Sequence, residues 1–237
     1  MIVENPQSRL QNLKVLLTGG SGTLGLELIE ILEKEGALVF SPSSEEFDVS
    51  REISQIALPW KPDLIIHAAA WTDVAGAEKE ENILKVVGAN IIGSKNVSFL
   101  ARTLGCPVVY ISSDYVTCKP LGLYAYSKLA GEAFMNKDND LIVRTSFKPR
   151  GTWGPDAFTK VVHPVKTNAD WVDIIAPKIV NAIANNDSGI VYIGTKVKTL
   201  KDLATQEYSE VEEITPEEIS EVTGYIYPQD CTFQPSI

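Results

Sequence analysis

The stretch "KVLLTGGSGTLGLELIEILEKEG" constrains the fold more than any other part of the chain. Lys14–Leu17 is a short apolar run with strand character. Gly19, Gly22 and Gly25 follow, and Leu24, Leu28, Ile31 and Leu32 then recur at helical spacing, which gives that helix one buried face. Gly36 ends it. Glycines in such a turn let the backbone approach a pyrophosphate, and the helix N-terminus supplies free N–H groups and a positive dipole end. The same residues can also make a tight βα turn without a ligand; the strand-then-helix context favours the first reading.

Further along, "ALVFS", "DLIIHAAA", "PVVYISS" and "LIVRTS" are continuous apolar runs, with helical patterns in "ENILKVVGANIIGSKNVSFLARTLG" and "AYSKLAGEAFMNK" between them. Strands apolar throughout are buried on both faces. They predict an α/β chain with a doubly wound parallel sheet (a Rossmann fold) over residues 1–146. After Thr145 the chain turns rich in Pro, Gly and polar residues, as loops over a cleft would be. "VDIIAPKIVNAIANN" predicts a helix with Pro177 near its first turns, and "IVYIGT" a strand. Residues 147–237 thus read as a small substrate-binding region that partly returns to the main sheet. The acidic tail "YSEVEEITPEEISEV" reads as solvated, with Thr215-Pro216 starting a short helix.

The end of the second strand bears on the cofactor. An acidic residue there would bond the ribose 2′-hydroxyl of NAD and repel a 2′-phosphate. Here Ser41, Ser43 and Ser44 come first, and Glu45 and Glu46 later. The balance leans to NADP(H), with NAD(H) left open, since no arginine stands near. Asp48 and Val49 could touch the adenine from a short third strand; a turn started by Asp48 is the equal alternative.

The net charge of −10 disfavours a nucleic-acid or anionic-membrane partner, because phosphate backbones need a basic surface. The three cysteines, Cys106, Cys118 and Cys231, have no metal-ligand spacing, so no metal site is expected. They read as reduced thiols of a cytoplasmic protein. The first residues show no signal-peptide pattern, and no apolar run is long enough to span a membrane.

A tyrosine four residues before a lysine occurs at Tyr115/Lys119, Tyr124/Lys128 and Tyr192/Lys196. Residues i and i+4 share a face only on a helix; on a strand they stand about 13 Å apart. Tyr192 begins in a strand-like segment, and Lys119 precedes Pro120, which disfavours helix. Only Tyr124/Lys128 opens a good helical sequence. A ketone reduction needs a proton for the oxygen, and a nearby ammonium would stabilise the phenolate left behind.

Together "LTGGSGTLGLEL", "DLIIHAAAWTDV", "GAE", "ANIIGSKNV", "VVYISSDYV", "YAYSKLAGE" and "IVRTSF" resemble the extended short-chain dehydrogenase/reductases, and more narrowly the dTDP-4-dehydrorhamnose reductase family, over residues 13–147. The resemblance implies a reductase of a nucleotide-linked 4-keto-6-deoxy sugar. Tyr124 and Lys128 match its catalytic pair, and Ser113 its carbonyl partner. Gly19, Gly22, Thr23, Leu24, Gly25, Ala68, Ala69, Ala70 and Asn90 match positions around the cofactor, Asn90 holding the lysine through water. Thr72, Asp114, Tyr115, Arg144 and Trp153 fall on the substrate side. A homodimer fits the resemblance as well. The alternatives are an epimerase or dehydratase of the same superfamily and a non-catalytic NADP-binding regulatory subunit. Ser113-Asp114-Tyr115 lacks the glutamate that related dehydratases place after the aspartate.

The chain departs from the family in one place. Only "VTCKPLGL" separates Tyr115 from Tyr124, where the family has a longer loop that helps wall the site. Among other residues, His67 reads as a core histidine. Phe147, Trp153 and Trp171 read equally as pocket wall or packing, and Lys148 and Arg150 as a solvated basic pair more than a diphosphate clamp.

Overall fold

The computed structural model describes residues 6–53 and 57–236. The first half runs β1 (Lys14–Thr18), α1 (Thr23–Lys34), β2 (Leu38–Phe40), β3 (Leu64–His67), α2 (Ile83–Val86), α3 (Gly93–Leu104), β4 (Val108–Ile111), α4 (Leu123–Glu132) and β5 (Leu141–Thr145). The second half adds β6 (Phe147–Lys148), β7 (Lys160–Val162), β8 (Lys166–Thr167), β9 (Asp170–Trp171), α5 (Val172–Ala184) and β10 (Gly189–Ile193). It ends with β11 (Lys198–Thr199), α6 (Leu200–Ala204), β12 (Glu212–Ile214), α7 (Pro216–Thr223) and β13 (Asp230–Cys231).

The main sheet has six strands in the order β10-β5-β4-β3-β1-β2, and every pairing is parallel. The fold is thus the doubly wound α/β sheet that the apolar runs predict. One face is covered by α1 and α5, where Leu24, Leu28 and Leu32 meet Ile175 and Ile179. The other face buries Ile65, Tyr110 and Ile142 against Val97 and Leu100 of α3. The chain leaves β1 in opposite directions for β2 and β3, so a crevice opens at the C-terminal ends of β1 and β3. The helical pattern ending at Gly105 is not one regular helix: residues 87–92 form a π-helical segment between α2 and α3, and Gly105 caps α3 with φ of 68°.

Residues 172–193 return to the main sheet through α5 and β10. The rest of the second half forms small sheets around a separate core of Trp153, Trp171, Leu200 and Leu203. Thr215 starts α7, its hydroxyl and the Glu218 carboxylate capping each other's backbone N–H. The expected third strand at "FDVS" is instead a turn. Asp48 accepts hydrogen bonds from the N–H (3.0 Å) and hydroxyl (2.6 Å) of Ser50, and Val49 is buried in the core.

The cysteine reading is also corrected. Cys118 and Cys231 are joined by a disulfide across a sequence separation of 113, while Cys106 is free. Pairing of β13 with β8 brings Cys231 back beside the loop before α4, an encounter that no local spacing could announce. Closing so long a loop stabilises a chain by about 2–4 kcal/mol. A thermal melt with tris(carboxyethyl)phosphine should therefore fall below the non-reducing melt by roughly 5–10 °C. Cys231→Ser should melt at one temperature in both buffers; an identical pair of wild-type melts would mean that the bond does not form.

Candidate active site

The glycine turn is built by close approach. A Cβ on Gly25 would lie 2.3 Å from the Gly19 carbonyl oxygen, and one on Gly19, whose φ is +79°, would lie 2.5 Å from the Ala69 nitrogen. The turn therefore seats α1 tightly on β1 and holds the end of β3 against both. Gly22 caps α1 without a side-chain hydrogen bond, which leaves the first-turn N–H groups for a ligand. They open onto a cleft of about 570 Å³, lined by Gly19, Gly22, Thr23, Leu24, Gly25, Ala68, Ala69, Ala70, Thr72, Ser113, Tyr115, Tyr124 and Lys128 together with Ser112, Thr145, Phe147 and Lys148. An uncapped helix start beside such a cleft fits the pyrophosphate of a dinucleotide.

Tyr124 and Lys128 lie one turn apart near the start of α4, both buried. Glu78 accepts a hydrogen bond from the Leu123 N–H (2.6 Å), so the "GAE" segment caps this helix from outside. Ser113 and Tyr124 line the same cleft. Burial pushes the Tyr124 phenol up to about 12, with Ser113 lowering it in part. Lys128 is pulled down to about 7 by burial, opposed by the Glu132 charge, and its ammonium lies 4.5 Å from the centroid of the Tyr110 ring. The sequence argument expected a phenol drawn toward ionisation; here burial, aided by the Asp114 charge, outweighs the Ser113 hydroxyl, and Tyr124 keeps its proton.

Arg144 does not face the cleft. It forms a bidentate ion pair with Glu132, Nε to Oε1 at 2.9 Å and Nη2 to Oε2 at 2.7 Å, and donates to the Tyr192 hydroxyl. Ser112 donates to the same carboxylate at 2.6 Å. Trp153 is core as well, packed edge-on against Trp171 at 5.9 Å. Asp114 is buried behind Ser113, whose hydroxyl donates to it at 3.3 Å, and burial pushes its carboxyl up to about 7.

Asn90 lies in the π-helical segment, away from the cleft surface. Its Oδ1 accepts from the Trp71 N–H (2.8 Å) and its Nδ2 donates to Ser127 Oγ (2.8 Å), which ties α4 to the loop after β3 directly. Ser41 packs behind the glycine turn, where a Cβ on Gly20 would strike its Oγ. Ser43 donates through both N–H and hydroxyl to Glu46, each at 3.0 Å, so its hydroxyl is already engaged. Asp48 and Val49 lie in the turn described above, outside the cleft.

His67 is buried, with Nδ1 2.8 Å from Thr18 Oγ1, and burial lowers its pKa to about 3, as suits a core histidine. Lys148 is not a solvated charge: it is half-buried and lines the cleft. Arg150 alone lies at the surface, paired with Asp173 and Glu207. Glu132, Ser127 and Thr145 escaped the sequence reading, which weighed Lys148 but favoured a solvated charge there. Glu132 had a faint signal, one turn beyond Lys128 on the same helix face.

Beside the short segment that separates Tyr115 from Tyr124, the C-terminal segment packs. Tyr227 accepts a hydrogen bond from the Tyr115 hydroxyl (3.3 Å), Tyr225 lies against Gly122, and Cys231 bonds Cys118.

This fold, with a serine, a tyrosine and a lysine meeting at the mouth of a glycine-turn cleft, is that of the extended short-chain dehydrogenase/reductase class. The family model for the RmlD substrate binding domain matches residues 13–181, and the chain belongs to that family. The dTDP-4-dehydrorhamnose reductase of Mycobacterium tuberculosis (strain ATCC 25618 / H37Rv) is 27% identical over 181 residues, which cover 68% of this chain and 59% of that protein. The enzyme of the same name from Salmonella typhimurium is 32% identical over 155 residues, covering 57% of this chain and 51% of that one. The chain thus spans less than two thirds of the length of these curated relatives. The crystal structure of dTDP-4-dehydrorhamnose reductase from Bacillus anthracis str. Ames in complex with NADP aligns with a TM-score of 0.80 at 26% identity, over 94% of this chain and 90% of that one.

Glu132 and Arg144 are both nearly inaccessible, so losing one partner strands the other's charge. Glu132→Ala should cost about 3–5 kcal/mol in urea unfolding. A loss below about 1 kcal/mol would mean that the pair does not brace α4.

Proposed function

We propose that the chain is an NADPH-dependent reductase of a nucleotide-linked 4-keto-6-deoxy sugar, with Tyr124 as its proton donor. The observation that carries this reading is the convergence of Ser113, Tyr124 and Lys128 on the cleft that the glycine turn opens onto. The matching family, the named relatives and the NADP complex of the Bacillus anthracis protein support it.

The nicotinamide, when bound, supplies the hydride to the carbonyl carbon. The first turn of α1 and the glycines would hold its pyrophosphate, and Ala68–Ala70 the wall beside it. Ser113 donates a hydrogen bond to the substrate carbonyl oxygen, where negative charge develops. Tyr124, held protonated by burial, delivers its proton to that oxygen. Lys128, in its ammonium form, stabilises the phenolate left on Tyr124. The Ser113 hydroxyl, which donates to Asp114 in the structure, turns its single proton to the carbonyl oxygen when substrate binds, with the Tyr115 N–H holding its Oγ in place. The homodimer and a cytoplasmic location belong to the same proposal; light scattering tests the first.

NADPH oxidation against a panel of nucleotide 4-keto-6-deoxyhexoses tests the activity. Tyr124→Phe should lower kcat by about 10²–10⁴-fold with NADPH affinity unchanged. Undiminished turnover would remove Tyr124 from the mechanism. The pH profile is a second check. Lys128 is lowered to about 7, so its ammonium form is present below that pH and lost above it. Hence kcat/KM should fall as pH rises through about 7, and Lys128→Arg, whose charge persists, should move that limb upward. A profile flat from pH 6 to 9 would contradict the assigned role.

A further inference from the structure

We propose that Lys148 is a specificity-determining residue of the cleft, its ammonium taking an anionic oxygen of the sugar-nucleotide substrate. The inference rests on the reductase reading and adds a substrate contact to it.

Lys148 lies on β6, just past the C-terminal end of β5, and lines the same cleft as Ser113 and Tyr124. It is half-buried, yet among the described residues its ammonium has no hydrogen bond and closes no ion pair. The nearest acid acting on it is Asp114, which is buried and held only partly ionised near neutral pH. Thr145 Oγ1, a buried hydroxyl from a residue that lines the same cleft, lacks a partner among the described residues as well. A buried polar group left unpaired costs about 1–3 kcal/mol, so a cation and a hydroxyl without partners beside a cleft mark where a polar ligand completes the bonding.

Several other cations are already paired, and Lys160, Lys166, Lys178 and Lys196 do not line the cleft. Arg144 holds Glu132, Arg150 holds Asp173 and Glu207, and Lys198 holds Asp170. Arg150, the other candidate for a substrate diphosphate in the sequence, is thereby used at the surface. Among the described residues the cations lining the cleft are Lys128 and Lys148, and the mechanism proposed above assigns Lys128 to Tyr124, which leaves Lys148 for substrate. A neutral hydroxyl would not offset the desolvation of a half-buried ammonium, whereas an anionic oxygen would. In a nucleotide-linked 6-deoxy sugar that oxygen belongs to the diphosphate, since the sugar itself carries no charge.

The test uses the full chain as wild type, Lys148→Met and Lys148→Arg, each saturated with NADPH, with dTDP, UDP-glucose and UDP-glucuronate as calorimetric probes. Lys148→Met should weaken all three by at least about tenfold, and Lys148→Arg should retain most of the affinity. NADPH affinity, measured by its fluorescence, should stay at the wild-type value in both variants, and neither should melt below wild type. Four outcomes overturn the proposal: probe affinities in Lys148→Met within about twofold of wild type, a loss confined to UDP-glucuronate, no probe binding to wild type, or a loss confined to NADPH. If Lys148→Met fails to fold, Lys148→Gln takes its place under the same criteria. The reductase reading fails separately, when wild type binds probes through Lys148 but oxidises no NADPH with any 4-keto sugar nucleotide.

Discussion

Gly25 can carry no side chain, because the Gly19 carbonyl oxygen lies 2.3 Å from where its Cβ would stand. That contact seats α1 on the end of β1, and the matching approach of Gly19 to Ala69 draws in the end of β3. With both strand ends held at the point where the winding reverses, a cleft must open there, and every loop at the C-terminal edge of the sheet can contribute to it. The uncapped start of α1, the alanines after β3, Ser113 after β4 and Lys148 after β5 meet because of this one steric condition.

The reacting groups are then held by polar contacts behind them. α4 is fixed by Glu78 at its start, by Asn90 through Ser127 along its side and by Arg144 through Glu132 at its end. A buried ion pair is a poor source of net stability, but it fixes geometry, since any shift of α4 would separate the charges. Burial has a second effect. It keeps Tyr124 protonated and brings Lys128 near neutrality, so the resting cleft holds a proton on the group that must give one. The C-terminal segment closes over the short loop before α4 with tyrosines and a disulfide, which relates the chain's small second region to the site without a long insertion.

Much of the fold was legible because it is local. A glycine turn, apolar runs and 3.6-residue periodicity are properties of neighbours in sequence, and they lead to the observed sheet. Tyr124/Lys128 could be chosen over Tyr115/Lys119 and Tyr192/Lys196 because helical geometry is local too. The misreadings share the opposite character. Arg144 ends an apolar strand as a substrate-facing residue would, but its direction is decided by Glu132, twelve residues earlier on another element. Trp153 could stack on a ligand or on Trp171, and only packing of the second half chooses. Asp48 satisfies its own turn before any ligand can claim it.

From its sequence alone this chain determined a parallel α/β sheet, a glycine turn fit for a pyrophosphate and one helical Tyr–Lys pair, since each depends on residues a few positions apart. Only the tertiary structure decided which charges face the cleft. It turned Arg144 and Arg150 away into ion pairs, left Lys148 in the cleft with no ion-pair partner among the described residues and joined Cys118 to Cys231. The reason is physical. A charge is spent wherever its best partner comes to lie in the folded chain, and that meeting depends on packing between distant elements rather than on spacing.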